Sequence, residues 1–275
     1  MEVGYLGPKN SFTYKAASYY FDDSSLQPYS SITSCLNALT HMQVDYVVVP
    51  IENSLEGSVH TSIDGLFHHK DIKVYKEIIL PIKQNLLVND LTIVPEKILS
   101  HPQAIAQSQH FLETCYPNVL IEQVPSTTFA AEYVAGHPDE SVGAIASKEA
   151  AEEYGLEILS ENIQDNRFNQ TRFWLLGKQP FKIDDSNIQK LSLFITLPKN
   201  TPGILHKVLS AFAWREIDLS KIESRPLKTE LGEYYFIIDV IIQDNIPLVE
   251  HALEEITLLG VTYQHLGCYS IVIKE

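Results

Sequence analysis

The sequence predicts an α/β protein in two parts, and three observations support this. Up to residue 177, short apolar runs typical of buried strands alternate with helical patterns. A polar segment, residues 178–189, then interrupts the pattern and is interpreted as a linker. Beyond it the order of elements is strand, helix, strand, strand, helix, strand. We therefore predict an α/β domain over residues 1–180 and a βαββαβ domain of ferredoxin-like plan over residues 188–275.

In the first part, four apolar runs predict buried parallel strands, at residues 3–6, 45–51, 119–124 and 142–146. One helix is indicated by Val59, Ile63, Leu66 and Phe67, which recur on a single helical face. In the second part we predict strands at residues 191–197, 217–225, 233–242 and 261–273, with helices at 202–214 and 247–258. Such a unit leaves one sheet face free for another subunit or a ligand, which favours a regulatory or oligomerising role.

Composition limits the possible partners. The chain has 20 basic and 35 acidic residues, a net charge of −15, and no run of five basic residues. We therefore expect neither nucleic acid nor an anionic membrane as a partner. No apolar run is long enough to span a membrane and no export signal is visible. Because three scattered cysteines suggest neither disulfides nor a zinc site, we expect a cytoplasmic protein without bound metal.

Hydroxyl and amide side chains recur where a predicted strand ends and a helix begins. In open α/β sheets, ligands bind beyond the carboxyl ends of strands, where helix N-termini present free N–H groups. We therefore predict that four junctions face one crevice and form an anion pocket. Their sequences are GPKNSFT, ENSLEGS, SHPQ and PSTTF.

These junctions also have a purely structural interpretation. Ser100 and Gln103 fit a helix capping box, and Asn53 and Ser54 suit turn or cap positions. Gln107 lies seven residues beyond Ser100, on the same helix face, where its side chain could reach the mouth of the crevice.

The segment 163–177, IQDNRFNQTRFWLLG, carries the strongest local signal. Polar side chains crowd together directly before an apolar strand, and two of them, Arg167 and Arg172, are arginines. A plain loop seldom needs both, so the segment indicates a site for an anionic ligand.

Seven motifs in order resemble those of prephenate dehydratases with a C-terminal ACT domain: GPKNSFTYKAA, PIENSLEG, SHPQAIAQ, STTFAA, NQTRF, TPGIL and ESRP. The resemblance covers nearly the whole chain. It implies a catalytic domain of two α/β lobes, like a type II periplasmic binding protein, with the cleft between them. It also implies conversion of prephenate to phenylpyruvate, water and carbon dioxide without a metal or cofactor, by a cytosolic homodimer or homotetramer.

The resemblance also implies roles for individual residues. Thr171 is expected to give a proton to the leaving hydroxide, and Glu52 is the alternative acid if burial raises its pKa. Asn53, Ser100 and Gln107 are implied as further catalytic residues of the cleft. Substrate contacts are implied for Ser11, Ser54, Ser126, Thr127, Arg172 and Phe173.

Two positions need separate treatment. Adjacent residues of a regular strand point to opposite faces, so Thr171 and Arg172 cannot both enter the cleft if they lie on the same regular strand. Arg172 therefore either binds a substrate carboxylate or forms a buried ion pair that ties the lobes. Asn10 stands where the family usually has Gly, and we expect it to keep the loop by adopting the left-handed conformation.

In the second part, TPGIL and ESRP resemble the phenylalanine-binding motifs of ACT domains. The implied L-phenylalanine contacts are Pro202, Gly203, Ile204, Leu205, Glu223, Ser224, Arg225 and Pro226. Ile204, where Ala is more common, is expected to narrow the effector pocket. From the residues alone, Pro202 and Gly203 could simply begin a helix, and Glu223 could simply pair with Arg225.

Three functions follow from this reading. The first is a prephenate dehydratase inhibited by L-phenylalanine. The second is an arogenate dehydratase, which acts on a related ring with an amino group in place of the keto oxygen. The third is a non-catalytic sensor of small anions. The NQTRF segment favours an enzyme, because a sensor could hold its ligand without that threonine.

Overall fold

The computed structural model describes residues 1–181, 188–198, 201–227, 233–243 and 246–274. Half of the predicted linker, residues 182–187, lies outside the described residues. Within the described part, no helix is both long and apolar enough to cross a membrane.

The first part contains eleven described strands and seven described α-helices. The strands are β1 (Val3–Leu6), β2 (Leu26–Tyr29), β3 (Tyr46–Asn53), β4 (Gly57–Ser58), β5 (Lys73–Pro81), β6 (Asn85–Val88), β7 (Lys97–Ser100), β8 (Leu120–Gln123), β9 (Val142–Ala146), β10 (Glu157–Ser160) and β11 (Gln170–Gly177). The helices are α1 (Phe12–Ser18), α2 (Ile32–Thr40), α3 (His60–Phe67), α4 (Pro102–Ala106), α5 (Gln109–Cys115), α6 (Thr127–Gly136) and α7 (Lys148–Tyr154). A short 3₁₀ helix spans Asp23–Ser25.

These strands form two sheets, which define two lobes. The first lobe contains the order β5-β11-β3-β1-β2, with β4 paired to β3. The second lobe is the sheet β10-β6-β9-β7-β8. The chain leaves the first lobe after β5 and returns in β11, so the second lobe is one continuous stretch inserted between two parts of the first lobe.

Strand direction differs in part from the expectation of parallel strands. β1 is parallel to β2 and β3, and β7 is parallel to β8 and β9. However, β11 is antiparallel to both β3 and β5, and β6 is antiparallel to β9 and β10. The sheets are mixed, and the antiparallel strands β6 and β11 are the ones that directly follow the two crossings between the lobes.

The second part contains β12 (Lys190–Thr196), α8 (Ile204–Ala213), β13 (Leu219–Pro226), β14 (Tyr234–Ile241), α9 (Ile246–Leu258) and β15 (Thr262–Ile273). Its strand order is β13-β14-β12-β15, and all three neighbouring pairs are antiparallel. Leu193, Val208 and Ile256 belong to the core between this sheet and its helices. The predicted fold class, an α/β protein with a βαββαβ domain, is confirmed.

The other face of this C-terminal sheet is not free, contrary to expectation. Phe194 and Tyr235 belong to a buried cluster with first-lobe side chains, and Phe67 of α3 stacks on Tyr235 with ring centroids 3.9 Å apart. In addition, β15 pairs in parallel with β5, so the two domains share one continuous sheet. The large apolar side chains of this face are covered by the first lobe of the same chain.

Candidate active site

A cleft of about 510 Å³ lies between the two lobes. It is lined by residues that follow the carboxyl ends of β1, β3, β7 and β8, including Ser11, Asn53, Gln103 and Ser126. The four strand–helix junctions therefore face one crevice, as the sequence predicts. Among the described residues that line it, none is Lys or Arg.

Two crossing segments, residues 82–84 and 161–169, connect the lobes behind the cleft. The backbone N–H of Ile82 donates to the carbonyl of Asn169 at 2.8 Å, and that of Ile163 donates to the carbonyl of Gln84 at 2.8 Å. The buried Oε1 of Gln84, a cleft residue, has no hydrogen-bond partner within the described part of the chain. This atom is an acceptor that a ligand could use.

Helix N-termini contribute hydroxyl groups to the cleft. Ser11 caps α1 by accepting from the backbone N–H of Tyr14 at 3.2 Å, and Ser126 caps α6 by accepting from that of Phe129 at 3.0 Å. Thr127 begins α6 and also lines the cleft. Asn10, just before Ser11, has a φ of 62°. The expectation that Asn10 adopts the left-handed conformation is confirmed.

Ser100 does not occupy the position expected from the sequence. Its side chain is fully buried, its Oγ donates to the carbonyl of Ile145 at 2.6 Å, and it is not among the cleft-lining residues. The cap of α4 is His101, whose Nδ1 accepts from the backbone N–H of Gln103 at 3.2 Å. Ser100 ends β7, and its buried hydroxyl binds β9 instead of the helix.

A network of neutral amides holds the hydroxyl of Thr171. The Nδ2 group of Asn53 donates to Oγ1 of Thr171 at 2.9 Å and to Oδ1 of Asn169 at 2.8 Å. The Oδ1 atom of Asn53 accepts from the backbone N–H groups of Leu55 and Glu56, at 3.0 and 3.2 Å. These backbone donors fix the orientation of the Asn53 amide, so its N–H side must face Thr171.

The same network reaches across to the second lobe. Nδ2 of Asn169 donates to Oε1 of Gln107 at 2.9 Å, and Nε2 of Gln107 donates to Oε1 of Glu56 at 3.3 Å. Asn169 and Glu56 were not singled out from the sequence as site residues. Asn169 lies two residues before Thr171 in the NQTRF motif, and that proximity is the signal that could have identified it.

Arg172 points away from the cleft. Its guanidinium donates to Glu52 at 2.5 Å, to Glu77 at 2.6 Å and to Asp239 of β14 at 2.7 Å. The expectation that Arg172 binds substrate is therefore corrected in favour of the buried ion pair, which ties the first lobe to the C-terminal domain. Arg167 is exposed, so neither arginine of the segment lines the cleft.

Two lysines complete a charged cluster around Arg172. Nζ of Lys190 lies 2.8 Å from Glu77, and Nζ of Lys221 lies 3.2 Å from Glu52. Around Arg172, three cations thus face Glu52, Glu77 and Asp239, and Lys221 also contacts Glu223 at the edge of the cluster. This balance offsets the cost of removing the charges from water.

The pKa values of the buried pair reflect that balance. Burial raises the pKa of Glu77, but the charges of Arg172 and Lys190 lower it more, so the net pKa lies below its ordinary value of 4.5. For Arg172, burial lowers the pKa, but Asp239 and Glu77 raise it further, so its net pKa lies above the ordinary value. Both groups are therefore charged at neutral pH.

Other predicted residues divide between the cleft and its surroundings. Phe173 and Gln107 line the cleft. Glu52 belongs to the charged cluster, so it is not placed to act as the alternative acid. Ser54 lies outside the lining, where its Oγ donates to the carbonyl of Phe168 and accepts from the backbone N–H of Gln170. Glu52 precedes Asn53 in β3 and so points to the opposite face of the strand, whereas Ser54 lies in the turn that follows β3.

The comparisons with known proteins agree with this architecture. A family model for prephenate dehydratase matches residues 3–181, and one for the ACT domain matches residues 191–257. The prephenate dehydratase of Lactococcus lactis subsp. cremoris is 46% identical over 273 residues, which cover 98% of each chain. The chain belongs to the prephenate dehydratase family.

Solved structures of the family superpose over nearly the whole chain. The prephenate dehydratase of Staphylococcus aureus matches with a TM-score of 0.84 at 31% identity, over 98% of this chain and 100% of that one. The enzyme of Arthrobacter aurescens in complex with L-Phe matches with a TM-score of 0.84 at 28% identity, over 98% and 90%. The chain is thus a lyase-type enzyme with an ACT domain, and the reading as a non-catalytic sensor does not hold.

In the ACT domain, the ESRP motif lies on β13, whose side chains alternate between two sides. Glu223 and Arg225 face the catalytic domain, whereas Ser224 and Pro226 are exposed. Arg225 pairs with Asp64 of α3 at 3.1 Å and Glu223 pairs with Lys221 at 3.1 Å. A simple Glu223–Arg225 pair is therefore not formed.

The TPGIL motif begins α8. Gly203, the N-cap residue, has a φ of +73°, and the space beside its Cα is open, so backbone conformation alone favours glycine here. Pro202 is exposed and Leu205 is half-buried. Ile204 packs inside the ACT core at 6% exposure, which corrects the expectation that it narrows an effector pocket.

Proposed function

We propose that the chain converts prephenate to phenylpyruvate, with release of water and carbon dioxide, and that Thr171 gives the proton to the departing hydroxide. One observation carries this proposal: Asn53 donates an N–H to the oxygen of Thr171 at the wall of the cleft. Because that oxygen accepts a hydrogen bond, the hydroxyl hydrogen is free to point elsewhere.

The Asn53 contact also makes the hydroxyl a better acid. As the proton leaves Thr171, negative charge develops on its oxygen, and a fixed N–H donor stabilises that charge without reorganisation. The reaction needs only weak help from an acid, because formation of the aromatic ring as the carboxylate departs supplies the driving force. General acids of this kind contribute about 10²- to 10⁴-fold in rate.

The carboxylates of the substrate are held by neutral donors. The cleft offers the hydroxyls of Ser126 and Thr127 at the start of α6, a ten-residue helix whose N-terminal dipole favours an anion. In the first lobe Ser11 also lines the cleft; its hydroxyl donates to the carbonyl of Leu6 at 3.1 Å and would exchange that bond for one to a substrate carboxylate. Donors on both lobes allow a dicarboxylate to bridge the cleft and to orient its C4 hydroxyl toward Thr171.

We also propose that L-phenylalanine inhibits the enzyme through the ACT domain, at the TPGIL and ESRP motifs of a homodimer or homotetramer. Support comes from the exposed positions of Pro202, Gly203 and Ser224 and from the related structure in complex with L-Phe. A cytoplasmic location stays a prediction from the sequence.

The reaction is tested by mixing the purified protein with prephenate and, separately, with arogenate, and following the aromatic product with and without L-phenylalanine. We expect phenylpyruvate from prephenate, and less of it when L-phenylalanine is present. Preferential turnover of arogenate would replace the proposed substrate. Inhibition absent at saturating L-phenylalanine would remove the regulatory proposal and leave the reaction intact.

A Thr171→Ala variant tests the acid in the same assay. Its turnover should fall by about 10²- to 10⁴-fold while its circular dichroism spectrum is unchanged. Thr171→Ser, which keeps a hydroxyl, should retain most of the activity. Near-normal turnover of a folded Thr171→Ala protein would assign the proton to another group.

A further inference from the structure

A hairpin at the rim of the cleft, residues 52–58, contacts both the cleft and the ACT domain. It joins β3 to β4, with Glu52 paired to Ser58 and Asn53 paired to Gly57. Asn53, Glu56, Gly57 and Ser58 line the cleft, and Asn53 is the residue that holds Thr171. Displacement of this hairpin would therefore change the hydrogen bond that Asn53 donates to the hydroxyl of the proposed acid.

The outer side of the hairpin is bound by β13 of the ACT domain. The hydroxyl of Ser58 donates to Glu223, and Nζ of Lys221 contacts Oγ of Ser58 at 2.6 Å and a Glu52 oxygen at 3.2 Å. Glu223 is part of the ESRP motif, so one side chain separates that motif from the lining of the cleft. His60, which begins α3, lies 3.4 Å from the same carboxylate.

We propose that the 52–58 hairpin is the route by which an amino-acid effector at the ESRP motif changes the active site, with Ser58 and Lys221 as positioning residues. This rests on the regulatory part of the proposed function. With Glu223 bound to Ser58 and Lys221, the hairpin keeps Asn53 against Thr171. An effector ammonium group that pairs with Glu223 takes the carboxylate from Ser58 and releases the hairpin.

The charge and exposure of Glu223 suit this competition. Glu223 faces the catalytic domain, but β13 is the edge strand of the sheet and the Glu223 side chain is 24% exposed, so a small solute can reach it past that edge. Burial raises the pKa of Glu223, but hydrogen bonds from Ser58 and Lys221 lower it more, and the carboxylate is charged at neutral pH. The carboxylate already pairs with the ammonium of Lys221 at 3.1 Å, so an effector ammonium group adds a second charged partner and displaces the neutral hydroxyl of Ser58 rather than the lysine. This exchange supplies the differential affinity that a switch requires.

A second contact between β13 and the catalytic domain provides a matched control. Arg225 binds Asp64 of α3 through two hydrogen bonds, both of 3.1 Å, and neither residue lines the cleft. Loss of this pair removes an interaction of similar type from the same strand, but it leaves the 52–58 hairpin attached to Glu223 and Lys221.

The test uses full-length wild type, Ser58→Ala, Lys221→Met and the control Asp64→Asn. For each protein, L-phenylalanine binding is measured by calorimetry, and kcat/KM for prephenate is measured without effector and at saturating effector. The ratio of the two kcat/KM values is the coupling factor. Because this ratio is taken within each protein, it is independent of changes in basal activity.

For wild type we expect a coupling factor in the range of about 5 to 150, which is usual for allosteric proteins. In Ser58→Ala and Lys221→Met it should fall to within about twofold of one, with L-phenylalanine still bound, and Asp64→Asn should keep the wild-type value. Lys221→Met decides the test if Ser58→Ala does not fold.

Two results would overturn the route while regulation itself stands. One is a wild-type coupling factor in Lys221→Met or a folded Ser58→Ala, and the other is loss of coupling in Asp64→Asn alone. If wild type binds no L-phenylalanine, the regulatory part of the proposed function is wrong and the hairpin route fails with it. Turnover of prephenate would be unaffected by that outcome.

Discussion

The two faces of the β3–β11 pair carry different chemistry one residue apart. On the cleft face, Asn53 lies opposite Thr171, and both are neutral. On the other face, Glu52 lies opposite Arg172, and both are charged and belong to the charged cluster. The comparison teaches that charges here hold the domains together, whereas Asn53 and Thr171 present oriented neutral hydrogen-bonding groups to the cleft.

The largest expected effect on stability comes from the charged face. Arg172→Leu leaves Glu77 and Asp239, both fully buried, with fewer partners, and should lower the free energy of unfolding by about 3–5 kcal/mol. Arg215→Leu breaks the more exposed pair with Glu255 and should cost less than about 1 kcal/mol. Urea denaturation measures both. Equal losses of unfolding free energy in the two variants would contradict a larger contribution of the charged cluster to stability.

On the cleft face, Asn53→Asp should lower kcat by about 10²- to 10³-fold, because a carboxylate cannot donate to Thr171 as its oxygen gains charge. Steady-state kinetics checks this. Asn89→Asp is the matched control, since Asn89 lies outside the cleft and bonds the carbonyl of Val134. An effect of similar size in both variants would contradict a specific role for Asn53.

The pH dependence of stability sharpens the contrast further. Because the folded-state pKa of Glu77 lies below 4.5, its ionised form stabilises the fold above that value, and this contribution is lost as the pH falls through the folded-state pKa. Between about pH 5 and about pH 3, the unfolding free energy of wild type should therefore fall more steeply than that of Glu77→Gln. Parallel curves would show that Glu77 does not titrate in this range.

The smallest effect concerns the loop before α1. Asn10 has a φ of 62°, where residues other than Gly and Asn are strained, so Asn10→Ala should cost about 1 kcal/mol. Asn10→Gly relieves the strain and should stay closer to wild type. Thermal unfolding distinguishes the two, and a more stable alanine variant would contradict the assignment of strain.

Much of this organisation could be predicted from the sequence, because local patterns determine it. The apolar runs identified β1 and β9, and the strand–helix junctions identified the crevice. The same patterns did not show that β5 and β11 join the sheet of the first lobe, since their pairing depends on crossings between distant segments. They also did not show that the ACT sheet is covered by α3, because that contact is tertiary.

At the site, the alternation of side chains along a strand indicated that Thr171 and Arg172 point to opposite faces. It could not show whether Arg172 binds substrate or forms a buried ion pair. The answer depends on Asp239, a residue 67 positions away that no local pattern links to Arg172. Ser100 was misplaced for a similar reason, because its hydroxyl binds β9 across the sheet instead of the helix that follows it. In both cases the position of the side chain depends on a hydrogen-bond partner far away in the sequence.

The most direct test of the division between the two faces is the turnover of Thr171→Val, which keeps the shape of the side chain and removes its hydroxyl. We predict that kcat for prephenate falls by about 10²- to 10⁴-fold, while the protein stays folded and its ACT domain stays attached. A folded Thr171→Val protein with kcat close to wild type would contradict the account, because a group other than Thr171 would then supply the proton.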